Sequence, residues 1–282
     1  MSPHQRLHEE GKGLCCLHIA LRPIKPLTYE GHPGRHVHAA VMGLLQKASP
    51  AANSSAHKDS LLAIGPLLTP PEGGAVGYVG PGTECSPQKT YWFRAGCAAP
   101  EVTRALLEGF ASEDAVTLGR TRWSIDRRDL EDDAEPLGFG ELAARAGGAA
   151  TFGIQLLSPT YFSFRERGAT TVLPQPAMVF RSLVKRWEGT PGAPELEVLC
   201  QDNVTEIVGR SVAVEWLQLE MDEYGAPPML FRGAVGQLRM RAVGAEAVGA
   251  LLRDLNVLTS FASYVGVGAK TSLGCGQARR IG

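Results

Sequence analysis

Residues 212–243 read VAVEWLQLEMDEYGAPPMLFRGAVGQLRMRAV. Residues 212–221 and 230–243 read as strands that could pair as a hairpin across GAPP, 225–228. Helical patterns flank them. AMVFRSLVKRW (177–187) has helical spacing, and residues 246–264 place Val248, Leu251, Leu252, Leu255, Leu258 and Phe261 on a shared stripe. Residues 152–157 read as a strand before the first helix, and a short strand ends the chain after the second. Strand, helix, strand, strand, helix, strand is the order of a ferredoxin-like unit.

The first half runs in the same order. GLCCLHIALR (13–22) reads as a strand. GRHVHAAVMGLLQK (34–47) has helical spacing, with Val37, Val41, Leu44 and Leu45 on one face and Pro33 as a start signal. Residues 49–60, small and polar, read as a loop. A weak hairpin is expected over 61–79, and the Gly/Pro-rich stretch 70–87 reads as loop or hairpin tip. TYWFRAGC (90–97) reads as a strand, 100–110 as a helix opening with Pro100 and Glu101, and 115–126 as one further strand. The acidic cluster Asp129, Glu131, Asp132, Asp133, Glu135 and Glu141 reads as a solvated loop. The boundary is placed just after it, giving domains 1–141 and 142–282. The fold class is α+β: tandem ferredoxin-like (RRM-like) domains with a C-terminal glycine-rich loop.

Composition narrows the function. The chain has 282 residues, 44% hydrophobic and 20% charged, with a formal net charge of −1. That is the profile of a soluble globular protein, and no global basic field points to a nucleic acid. Any such partner is held by local patches. No run of about 18 apolar residues suggests a membrane span. The polar N-terminus lacks the apolar core of a signal peptide, so a cytoplasmic location is expected. Cys15, Cys16, Cys85, Cys97, Cys200 and Cys275 are scattered without a C-x-x-C pair, which suggests neither a zinc site nor a disulfide framework. No cofactor and no metal are expected.

The C-terminal stretch GVGAKTSLGCGQARRIG (266–282) suggests a phosphate cradle. It fails as a P-loop, because Ala269 separates Gly268 from Lys270 and no helix follows. After Asp254 the chain has no acidic residue, while Lys270, Arg279 and Arg280 are present. Glycines let a backbone approach a polyanion, and free N–H groups can face phosphate oxygens.

This loop, with its G-x-G-x5-G-x-G spacing, resembles the C-terminal loop of the Cas6 family, the CRISPR RNA-processing endoribonucleases of the RAMP superfamily. Other stretches agree in order. SPTYF (158–162) resembles the segment opening the family's second domain, and LPQPAMVFRSLVKRW (173–187) its LPxPxxVxxSLxxRW helix. FRGAVGQLRMR (231–241) resembles its F-x-G-x-x-G strand. PAANSSAHKDSLLAIGPL (50–67) resembles the region after the first helix, where a histidine commonly sits. The resemblance implies two ferredoxin-like domains. It also implies cleavage of CRISPR repeat RNA without a metal, leaving a 2′,3′-cyclic phosphate and a 5′-hydroxyl.

That chemistry needs a base for the ribose 2′-OH, an acid for the leaving 5′ oxygen, and positive charge at the phosphate. Histidine suits the proton transfers, with an unperturbed pKa of about 6.5. Residues 32–58 hold four histidines and three cations, Arg35, Lys47 and Lys58, and no acidic residue. By resemblance His57 holds the catalytic histidine position. Lys58 is placed beside it for the phosphate, and His38 on the first helix is the second candidate. His36 points about 200° around that helix from His38, and His32 reads as loop. Many relatives have a tyrosine where this chain aligns Met42, so His38 or Lys58 takes over its service, or the enzyme is slow. A non-catalytic RAMP protein that binds crRNA as a scaffold therefore stays open. For RNA binding the candidates are Lys270, Thr271, Ser272, Gly268, Gly274, Gly276, Arg279, Arg280, Arg35, and Arg165 and Arg167 after SPTYF. Arg181, Lys185, Arg186 and Trp187 fit an amphipathic helix face as well as an RNA contact. The partners expected are CRISPR repeat RNA and other Cas effector subunits, with a homodimer open and no membrane.

Overall fold

The structure, a computed structural model, describes residues 12–59, 61–71, 76–126, 136–164, 169–244 and 249–282; at residues 57–59 and 164 it describes the backbone. In the first half run β1 (Lys12–Pro23), β2 (Leu27–Thr28), α1 (Pro33–Ala48), α2 (Pro50–Asp59), β3 (Leu62–Ile64), β4 (Glu84–Cys85), β5 (Tyr91–Ala98), α3 (Pro100–Ser112), β6 (Ala115–Leu118) and β7 (Thr121–Ile125). The sheet order is β3–β5–β1–β7–β6, antiparallel throughout. With the β6–β7 pair in the fourth place, this is a ferredoxin-like arrangement.

Why β1 reads as an almost unbroken apolar run is clear from its two faces. Cys15, Leu17, Ile19 and Leu21 enter a core with Val37, Val41 and Leu45 of α1 and Val102, Leu106 and Phe110 of α3. Leu14 belongs to the other core of the molecule. A strand covered on both sides has no need of polar alternation.

Three stretches differ from the sequence reading. Residues 50–59, expected as loop, form α2. Pro50 takes the first helical position, and Ser49 caps the helix by accepting the Ala52 N–H at 3.2 Å. Among its described side chains the helix buries only small ones, Ala52 and Ala56, so no apolar stripe announced it. Residues 115–126, expected as one strand, are the hairpin β6–β7, turning at Gly119 with φ +62°. The expected hairpin over 61–79 is reduced to β3 and an isolated bridge from Leu68 to Tyr78.

The second half continues with β8 (Leu137–Gly138), α4 (Phe139–Ala146), β9 (Thr151–Thr160), β10 (Phe162–Phe164), β11 (Ala169–Thr171), α5 (Pro176–Glu188), α6 (Val204–Ser211), β12 (Val212–Ala226), β13 (Met229–Ala242), α7 (Gly249–Val265) and β14 (Ala278–Ile281). The sheet order β12–β13–β9–β14 repeats the ferredoxin-like pattern. Its core joins Phe152, Ile154, Leu238 and Met240 of the sheet to Phe180 and Leu183 of α5 and Leu255, Leu258 and Phe261 of α7. Each such fully buried side chain contributes about 1.5–3 kcal/mol. The acidic cluster falls largely outside the described residues. Glu141, the exception, is no loop residue: it sits in α4 and accepts the Gly138 N–H at 2.8 Å.

The halves meet through α7. A Cβ placed on Gly96 of β5 would lie 2.2 Å from the Tyr264 carbonyl oxygen, so helix and strand are in backbone contact there. Of the six cysteines, Cys200 alone is exposed, and none forms a disulfide. Among the described residues no helix is long and apolar enough to cross a membrane.

Candidate RNA-processing site

The glycine loop is keyed into the protein by its own backbone. Val267 N–H donates to the Gly276 carbonyl at 2.7 Å, Gly276 N–H to Pro159 at 3.1 Å, Ala269 N–H to Tyr161 at 2.8 Å, and Gly274 N–H to Ile64 of β3 at 3.0 Å. Gly268 N–H donates to Ser182 Oγ of α5 at 2.9 Å. Ser158, fully buried, accepts the Gln277 N–H at 3.0 Å. This corrects the expectation of free N–H groups at Gly268, Gly274 and Gly276: those donors are engaged within the chain. The glycines answer to close packing and positive φ instead.

Arg186 underlies this lock. Its guanidinium donates to the Gly268 carbonyl at 2.7 Å and to Ser182 Oγ. Burial pushes its pKa down to about 10, so it remains a cation at neutral pH. Arg186→Met leaves the Gly268 carbonyl without this donor. A loss of about 1.5–3 kcal/mol is expected, the range for hydrogen bonds from charged groups. Urea denaturation measures it, and a midpoint equal to wild type would remove Arg186 from the lock.

The loop also abuts the first helix. A Cβ on Gly34 would sit 2.1 Å from the Leu273 carbonyl oxygen. Only glycine admits this approach, and it seats the start of α1 on the short 3₁₀ turn Thr271–Leu273. Residues four apart share a helix face, so His38 follows Gly34 on the side turned to the loop, and Met42 follows His38. His38 is half-buried and Met42 buried. Lys270, in the left-handed region at φ 56°, is exposed, Ser272 is half-buried, and Thr271 is buried. Arg35 is exposed on the first turn of α1. Gly34 thus meets Leu273 of the loop, with Arg35 next to that contact on the helix, His38 one turn on, and Lys270 and Ser272 on the same short turn as Leu273.

The other candidates divide. His57 and Lys58 occupy the last turn of α2, which packs on α1 and leads into β3. Arg165 and Arg167 lie outside the described residues. Arg279 and Arg280 point to opposite faces of β14, as neighbours on a strand do. Arg279 is exposed and donates to Gln155 at 2.7 Å. Arg280 is turned inward, donating to the Ala146 carbonyl, Ser260 Oγ and Asn256 Oδ1, each at 2.7 Å. Burial lowers its pKa.

Two histidines hold structure. His36 Nδ1 lies 3.0 Å from Tyr29 Oη, and its ring fills the space that side chains on Gly31 and Gly119 would need. Burial, first of its causes, lowers its pKa. His32, read as loop, is the N-cap of α1 and touches the far hairpin at Met229. Its place directly before Pro33 was the available signal.

Two ferredoxin-like units in tandem, closed by a glycine loop docked on the first helix, define a RAMP-type fold. A RAMP protein binding different RNA substrates has a TM-score of 0.57 at 13% identity, covering 95% of this chain and 100% of its own. Thermus thermophilus Cas6 reaches 0.66 at 20% identity, covering 95% and 98%, and a Cas6 product complex 0.72 at 23%, covering 95% and 100%. Residues 154–278 match the family model of the CRISPR-associated endoribonuclease Cas6. The likeness to Cas6 thus lies in sequence over that segment and in fold along the chain. No curated protein sequence matches the chain.

Proposed function

We propose that this chain is a metal-independent endoribonuclease that cuts CRISPR precursor transcripts within the repeat to produce mature crRNA. The ribose 2′ oxygen forms a bond to the adjacent phosphorus and the bond to the 5′ oxygen breaks. The products are a 2′,3′-cyclic phosphate and a 5′-hydroxyl. The observation that carries this reading is the docking of the cationic turn at Lys270 on the face of α1 that holds His38. It gives RNA phosphate and a proton-transfer group a common place. The family match over residues 154–278 and the fold shared with a Cas6 product complex and a Cas6 substrate mimic complex support it.

His57 and His38 serve the two proton transfers, Lys58 the phosphate, and Arg35, Lys270 and Ser272 the flanking strand. Domain 1–141 then carries the cutting residues and domain 142–282 the binding loop. The test is cleavage of a cognate repeat RNA in EDTA. A single cut is expected, and a 2′-deoxy nucleotide just upstream of it should abolish the reaction because the nucleophile is gone. Cleavage of the deoxy substrate would refute the mechanism. Tight binding with no product would favour the crRNA scaffold, a reading that Met42, without a hydroxyl on the helix face of His38, keeps in view.

A further inference from the structure

His32 joins parts of the molecule that are far apart in sequence. Its Nδ1 accepts the Arg35 N–H at 3.3 Å, capping α1. With Nδ1 an acceptor, Nε2 carries the proton and donates to the Met229 carbonyl at 2.9 Å, 197 residues away. Its ring meets Tyr224 and Phe231, one from each strand of the long hairpin, edge-on at 5.7 and 5.4 Å between centroids. Gly225, at φ +103°, leaves the space: a Cβ there would lie 2.5 Å from His32 Nε2.

The same Tyr224 ring closes on the glycine loop, since a Cβ on Gly274 would lie 2.1 Å from it. Tyr78 also packs edge-on against it, ring centroids 5.4 Å apart. Phe231 stacks on Tyr161, the residue whose carbonyl holds the loop at Ala269. The end of the hairpin, the first turn of α1 and the glycine loop are thus keyed around one imidazole. A shift of the hairpin against α1 breaks the bond to Met229.

We propose that His32 is a positioning residue that latches the β12–β13 hairpin to the helix carrying His38, so that RNA held by the hairpin end and the glycine loop is set in register with the cutting histidines. The role in catalysis rests on the function proposed above; the latch itself does not.

The cap requires neutral His32, because a proton on Nδ1 would face the Arg35 N–H, whereas Nε2 donates to Met229 in either charge state. The charged and titratable groups around it are Arg35 and His36 on α1, Tyr224 on the hairpin and Tyr78 beyond it. The two on α1 are cations or become so in acid. Burial, ahead of the Arg35 charge, lowers the pKa of His32. The neutral ring and its cap therefore contribute fully above the unfolded value of about 6.5, and that share is lost as pH falls through the lower folded value.

Three variants separate cap from latch. In His32→Asn the side-chain oxygen can cap α1 but the amide is too short to reach Met229. His32→Gln places an amide donor near the position of Nε2, and His32→Ala removes both. The single-turnover cleavage rate of the Asn variant should fall about tenfold to a hundredfold, as a small misplacement of reacting groups does, with RNA affinity nearly intact. The Gln variant should recover most of that rate. Wild-type cleavage by Asn, or a Gln variant as slow as Ala, would overturn the positioning role. The latch has its own readout whether or not RNA is cut. Wild type should exceed the Asn variant in urea midpoint at pH 8, with the gap closing toward pH 5. A gap absent at pH 8 would overturn the latch, and a gap unchanged with pH would overturn the cap by the neutral ring.

Discussion

His57→Ala is expected to lower the single-turnover rate of repeat cleavage by about 10²–10⁴-fold, the usual share of one general acid or base, while leaving RNA affinity nearly intact. The asymmetry follows from where the functions lie. His57 is in the last turn of α2, whereas the exposed cations Arg35 and Lys270 stand at the start of α1 and on the glycine loop. Under the proposed function, removing the imidazole there takes away a proton carrier and leaves the cations for the strand in place. Rates and dissociation constants should be taken on the same RNA at one salt concentration, because phosphate contacts make affinity strongly salt-dependent. If the variant cuts as fast as wild type, His57 is not the proton carrier, and His38→Ala becomes the variant that must fail. If affinity falls along with rate, His57 grips the strand rather than acting on it.

The parts of the fold legible in the sequence are those whose burial is periodic. Val37, Val41 and Leu45 recur on one helical face because α1 buries one face, and the hairpin of 212–243 could be read because its strands are long. Elements held by caps and small residues were not legible. Residues 50–59 looked like a loop because Ala52 and Ala56 bury too little surface to make a stripe. The turn at Gly119 lay hidden inside an alternating pattern that runs on through both strands.

The candidate site shows a sharper limit. The glycines of the terminal loop were visible, but what they approach was not. A glycine facing a phosphate and a glycine facing the Val267 carbonyl are written alike. Arg186 and Arg280 read as surface cations, and both are spent on carbonyl and hydroxyl oxygens of the protein. His32 has its decisive partner 197 residues away, beyond any local pattern.

Gly276→Ala is expected to be the most destabilising single methyl addition in the glycine loop. Gly276 has φ +66°, where a Cβ costs about 1–2 kcal/mol through its own carbonyl contact. The added carbon would also lie 2.1 Å from the Val267 carbonyl oxygen and 3.1 Å from Thr271 Cγ2. The first neighbour is backbone and cannot swing aside. Val267 N–H is bonded to the carbonyl of Gly276 itself, so pushing the strands apart breaks the 2.7 Å bond that closes the loop. Overpacking of this kind costs a further 1–3 kcal/mol or so. Together that is a large part of the roughly 5–15 kcal/mol that holds a domain folded. The comparison variant is Gly43→Ala, midway along α1, where a Cβ meets nothing within 4 Å. That change should stabilise by about 0.5–1 kcal/mol, because alanine restricts the unfolded chain and glycine does not. Urea denaturation of the two variants should therefore move in opposite directions from wild type. RNA affinity should fall only for Gly276→Ala, since the displaced turn carries Lys270 and Ser272. A Gly276→Ala protein as stable as the Gly43→Ala protein would mean that the loop relaxes without loss. The four glycines would then need a partner outside the chain to explain them.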